Sequence, residues 1–76
     1  MPRMNEEWAI EDAIRLNDHE EVVLGTRPNK YAPNGIEYVT WFCINGDNYF
    51  WGHYTYNMKS AKLDLLERAK NEIKRM

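Results

Sequence analysis

The feature that most constrains this chain is a stretch of two β-type runs, Ile36 to Ile44 (IEYVTWFCI) and Tyr49 to Tyr56 (YFWGHYTY), separated by Asn45-Gly46-Asp47-Asn48. β-Branched and aromatic residues favour strands, and Asn-Gly suits the positive φ angles of a tight hairpin turn. A turn of two or of four residues fixes which side chains share a face. On that parity Ile36, Tyr38, Thr40, Phe42 and Ile44 lie with Tyr49, Trp51, His53 and Thr55. Glu37, Val39, Trp41 and Cys43 lie with Phe50, Gly52, Tyr54 and Tyr56. An antiparallel meander normally alternates to polar residues on a solvent face. Here both faces are aromatic, so both need cover.

The rest of the chain has little to offer as cover. Its 76 residues form one small domain, and a chain of that size buries only about 60% of its unfolded surface. From Asn5 to about Asn17, Ala9, Ile10, Ala13, Ile14 and Leu16 recur at three- and four-residue spacing, which predicts a short helix with Asn5 as N-cap. Glu20 to Arg27 reads as a strand, with Gly25 marking a bulge or a close backbone approach. Pro28 to Gly35, with two prolines and Asn34-Gly35, is a loop. After Asn57, a second N-cap, the stripe Met58, Ala61, Lys62, Leu65, Leu66, Ala69, Ile73 and Met76 predicts a C-terminal helix. The expected fold class is therefore α+β: a three-stranded antiparallel β-meander flanked by N- and C-terminal helices (α-β-β-β-α) packed on one face.

Two short helices shield one face of such a sheet and leave the other in water. Val39, Trp41, Cys43 and Phe50 make the better core, with Gly52 leaving room for the Trp41 indole. The face of Tyr38, Phe42, Tyr49, Trp51 and His53, joined by Lys30 and Tyr31 of the loop, is then the expected binding surface. Contiguous exposed aromatic patches mark interaction sites. The expected partner is a protein or a second copy of the chain, since a symmetric dimer would bury the patch against itself. Stacking of single-stranded nucleic acid on the same face is the alternative. It ranks second because the strands carry only Arg27, with Lys30 beside them, to follow phosphates.

Charge is segregated along the chain. Residues 1 to 24 hold seven carboxylates against Arg3 and Arg15, whereas residues 57 to 76 hold six basic side chains against Asp64, Glu67 and Glu72. Side-by-side helices would account for this, and so would a docking surface for a partner of opposite charge. The net charge of −2 gives no general attraction to nucleic acid or anionic membranes.

Catalytic constellations are sparse. Cys43 and His53, the one thiol and imidazole that suggest a nucleophile with its base, fall on opposite hairpin faces. His19 among Asp18, Glu20 and Glu21 reads as a solvated acidic turn rather than a metal site. The four glycines are scattered, so no phosphate-binding loop is formed. A single cysteine and a start without an apolar stretch point to the cytoplasm. A non-enzyme without cofactors is expected.

The run Tyr38-Val39-Thr40-Trp41, the polar turn, and then Tyr49-Phe50-Trp51-Gly52-His53-Tyr54 resembles a V-T-W … W-G-H-Y signature of small uncharacterised proteins from bacteria, phages and mobile elements. The resemblance spans roughly residues 36 to 66, with Ala61 and Asp64 at the small and acidic positions of the following helix. It implies an accessory protein of a phage or prophage that acts by binding a host protein, and it carries over no catalytic residue.

Overall fold

The strand-forming stretches build a single antiparallel sheet of five strands in sequential order, β1 (Met4–Asn5), β2 (Trp8–Arg15), β3 (Glu20–Pro28), β4 (Ile36–Ile44) and β5 (Asn48–Thr55), followed by one helix, α1 (Met58–Lys74). The sheet is curled, and β1 and β5 form its edges. This computed structural model describes residues 3–75; Met1, Pro2 and Met76, the last placed on the helical stripe above, lie outside the described residues.

The expected N-terminal helix is not formed, and this overturns the α-β-β-β-α arrangement. Asn5 to Asn17 instead supplies the end of β1, a turn at Glu6 with φ of 53°, and the whole of β2. The cause is a register break between Ile10 and Asp12. Ile10 pairs with Gly25 and packs with Trp8, Val23 and Val39, whereas Ile14 pairs with Val22 and packs on the opposite side. Residues four apart in a regular strand share a face. The extra residue at the bulge reverses the alternation, and the remaining apolar spacing imitates a helix.

The C-terminal helix forms where its stripe places it. Asn57 caps it, with its side chain accepting a hydrogen bond from the Ser60 N–H at 2.8 Å. Ala61, Leu65 and Ala69 are buried against Val22, Leu24, Tyr38 and Phe42. Alanine at two of these three positions lets the helix axis approach the sheet closely. The helix thus covers the Tyr38 and Phe42 face, the reverse of the expectation. β3 decides this, because Val22 and Leu24 add two wholly apolar neighbours to that face.

The other face has no helix, yet Trp8, Val23, Val39, Trp41 and Cys43 on it are all buried. Aromatic rings do the covering. Trp8 from β2 meets Trp41 edge-to-face at 5.6 Å between centroids, and it meets Tyr54 from β5 at 5.8 Å, so rings from β2 and β5 touch across the two strands between them. Tyr49 extends the belt against Trp41 at 5.3 Å. Gly25 lies beneath: a β-carbon there would stand 3.2 Å from Trp41 Cζ3. The close approach expected at Gly25 is therefore to an indole. Removing the central ring should be severe. Trp41→Ala is expected to cost about 3–5 kcal/mol, enough to abolish the cooperative thermal transition followed by circular dichroism.

Candidate functional site

Strand β5 departs from the regular hairpin in two places. Asn45 and Gly46 take positive φ (56° and 80°), but Ile44 pairs with Asn48, so three residues separate the strands and the parity is odd. Phe50 therefore pairs with Phe42 and Tyr49 with Cys43, opposite to the expected faces. A second irregularity follows. Thr40 pairs with His53 and Phe42 with Phe50, leaving Trp51 and Gly52 together opposite Trp41 as a bulge. The bulge restores the parity, so His53 and Thr55 share the face of Tyr38 and Thr40 as expected, although α1 and not solvent lies on that face.

Trp51 carries the strain of this bulge. Its φ of 54° lies in the left-handed region, which costs a non-glycine residue about 1–2 kcal/mol. Its indole is 70% exposed, with one face stacked on Phe42 at 5.9 Å and Phe50 tilted against it at 6.1 Å. Phe50 (40% exposed) lies beside it, while Tyr54 (59%), on the ring-belt side, and Tyr56 (43%), just past the strand, are exposed farther along the edge. β5 carries no Lys, Arg, Asp or Glu, although charged side chains are a common way to discourage pairing at an open edge.

Of the expected binding set, only part is available. Tyr38 and Phe42 lie under α1, and Tyr49 is half-buried in the ring belt on the far side. Trp51 is exposed. His53 is exposed, but its Nδ1 is engaged by Asp64 of α1 at 2.9 Å. Tyr31 is 79% exposed in the Pro28 to Gly35 loop, with the Lys30 ammonium 5.3 Å from its ring centroid. Phe50, Tyr54 and Tyr56 were not in that set. The shortfall traces to the turn, where Asp47 after Asn45-Gly46 makes the loop odd, and to Gly52, which the sequence marks without saying that it marks a bulge.

The polar groups around the sheet act as clamps. On the helix side the Thr40 hydroxyl donates to Asp64, and Arg68 Nη1 donates to the Thr40 carbonyl at 2.9 Å and to its hydroxyl at 3.1 Å. Burial holds the Arg68 guanidinium below its ordinary pKa. On the ring-belt side, Arg27 lies 4.4 Å over the Trp8 ring and bridges Glu37 and Glu7. Its pKa is raised, chiefly by the hydrogen bond to Glu37. Arg3 makes a two-pronged pair with buried Glu21 (3.0 and 2.7 Å) and approaches the Cys43 sulfur at 3.4 Å. Burial pushes the Cys43 thiol up, away from the reactive thiolate. Cys43 and His53 lie on opposite faces. Among the described residues, no group of three or more His, Cys, Asp or Glu side chains is set to hold a metal ion.

No family model matches the chain, and comparisons with curated proteins and with solved structures return no match. Among the described residues, no helix is long and apolar enough to cross a membrane.

The Arg3–Glu21 pair has a pH signature. Arg3 lowers the pKa of the Glu21 carboxyl below its ordinary value of 4.5, chiefly by hydrogen bonding. A depressed folded-state pKa contributes stability above the unfolded value that is lost as pH falls through the folded one. Unfolding midpoints should therefore fall steeply below about pH 4.5, and Glu21→Gln should flatten that acid limb. Arg3→Ala, which strands a buried carboxylate, should cost about 1–3 kcal/mol at neutral pH. Denaturant titrations across pH check both outcomes.

Proposed function

We propose that this chain is a non-catalytic, cytoplasmic interaction module that binds a protein partner through the aromatic edge at β5. The observation that carries the reading is Trp51: an indole held at positive φ on an uncharged edge strand, one ring face packed and the rest in solvent. Strain of this kind persists where surrounding structure enforces it, and it concentrates at functional positions. Tryptophan and tyrosine are also the residues that anchor protein interfaces, because each buries a large rigid surface at a small entropic cost. Phe50 lies against this anchor, and Tyr54 and Tyr56 are further exposed rings along the same edge. The separation of Cys43 from His53 and the engagement of His53 by Asp64 support a binding role over a catalytic one. The hairpin's likeness to the V-T-W … W-G-H-Y signature supports a phage or prophage accessory role, with a host protein as the partner.

Trp51→Gly separates binding from folding. Glycine relieves the positive φ while losing the Phe42 stack, and these two effects are each about 1 kcal/mol and opposite in sign. The variant is expected to keep its circular dichroism and to shift in stability by no more than about 1 kcal/mol. Immobilised wild-type protein should retain a specific protein from host lysate that Trp51→Gly, further changed by Tyr56→Ala, does not. Equal retention by both would remove β5 from the interaction. Quenching of wild-type tryptophan fluorescence by single-stranded oligonucleotides at low salt, absent in Trp51→Gly, would assign the patch to nucleic acid instead.

A further inference from the structure

We propose that a second copy of this chain docks, across a two-fold axis, in the groove between β2 and the first turns of α1. The groove encloses about 380 Å³ and has an apolar centre, with buried Leu24 and Tyr38 at its base and exposed Ile36 and Met58 along it. Ile36 and Met58 are 39% and 54% exposed there, whereas Leu24 and Tyr38 beside them are buried. The two lips carry opposite charge. Glu11 and Asp12 stand on the β2 side, where the register break pushes Glu11 out of the ladder, and Lys62 stands on the α1 side. Lys59, three residues earlier, lies on the same side of the helix.

Among the described residues, none of these four charges is in an ion pair. Glu11 accepts a hydrogen bond from the Thr26 hydroxyl at 3.2 Å, and Asp12 accepts one from the Ala13 N–H at 2.9 Å; both donors are neutral. Lys62 lines the groove with the two carboxylates without pairing with either. This arrangement selects the occupant. A ligand of single charge sign gains from one lip and is repelled by the other. A molecule carrying both signs at the same spacing around an apolar centre gains from both, and this chain is such a molecule. A two-fold rotation lays Lys59 and Lys62 of each copy against Glu11 and Asp12 of its partner, with Ile36 and Met58 meeting at the centre. Self-complementarity of one patch is the requirement for an isologous interface. Two carboxylates of the acidic segment and two lysines of the basic one thus flank this groove, with β2 in place of the expected acidic helix.

The groove is small against a standard interface, so the dimer is weak and depends on its charges. Sedimentation equilibrium of the full chain should show a dimer whose dissociation constant rises by about tenfold or more between low and high salt. Lys59→Glu with Lys62→Glu should be monomeric, as should Glu11→Lys with Asp12→Lys. An equimolar mixture of the two variants should recover the dimer, because the reversed lips pair again. Recovery also shows that both variants are folded. A wild-type chain that stays monomeric at low salt, a dimer indifferent to salt, or variants that dimerise as well as wild type would each overturn the proposal. Trp51→Gly should dimerise normally, so failure here and failure of the β5 reading are distinguishable.

Discussion

The contact on which the structure depends is the Trp8 indole set edge-to-face on Trp41 and reaching Tyr54 beyond it, with the Arg27 guanidinium laid over the Trp8 ring. A sheet buries both faces or leaves one polar, and this chain supplies a single helix for two apolar faces. The ring belt replaces the missing second layer. Each aromatic pair contributes about 0.5–1.5 kcal/mol beyond the area it buries, and the rings are wide enough to span strands that small aliphatic side chains would leave uncovered. Arg3 and Arg27 complete the seal. Each spreads a guanidinium over a ring while pairing with a buried carboxylate, Glu21 or Glu37.

This solution leaves β5 at the margin. Its Tyr49 and Tyr54 turn toward the ring belt, while Thr40, Asp64 and Arg68 join the adjoining part of β4 to α1. Trp51 and Gly52 are the two residues that cannot both be accommodated opposite Trp41. The resulting bulge turns the largest side chain of the strand outward at positive φ. The same device that relieves packing on the ring-belt side therefore produces the exposed aromatic edge, and it interrupts the regular hydrogen-bonding row that would invite indiscriminate strand pairing.

How much of this was legible in the sequence differs from element to element. β3, β4, β5 and α1 follow from local composition, and Asn57 marks the helix start because its side chain has one specific task there. β2 was not legible. Its bulge at Glu11 moves Ile14 to the face opposite Ile10, and only the pairing with β3 shows that the spacing arises from two faces of a strand. The position of α1 was hidden for a related reason. The hairpin alone favours burying Trp41, whereas Val22 and Leu24 on β3 draw the helix to the Phe42 side. At the candidate site, two parity changes, a three-residue turn and the bulge at Trp51, cancel for His53 and Thr55 but not for Tyr49 and Phe50. Face assignment by alternation survives only as far as the first irregularity.

Tryptophan fluorescence tests the ring belt most directly, because the three indoles are divided by it: Trp8 and Trp41 are 5% and 6% exposed, and Trp51 is 70% exposed. In Trp51→Phe only the belt indoles remain. Blue-shifted emission that acrylamide scarcely quenches until the protein is unfolded is the expected result. Native-state emission quenched as readily as that of free tryptophan would mean that the helix-free face is open to water, and the belt would not exist.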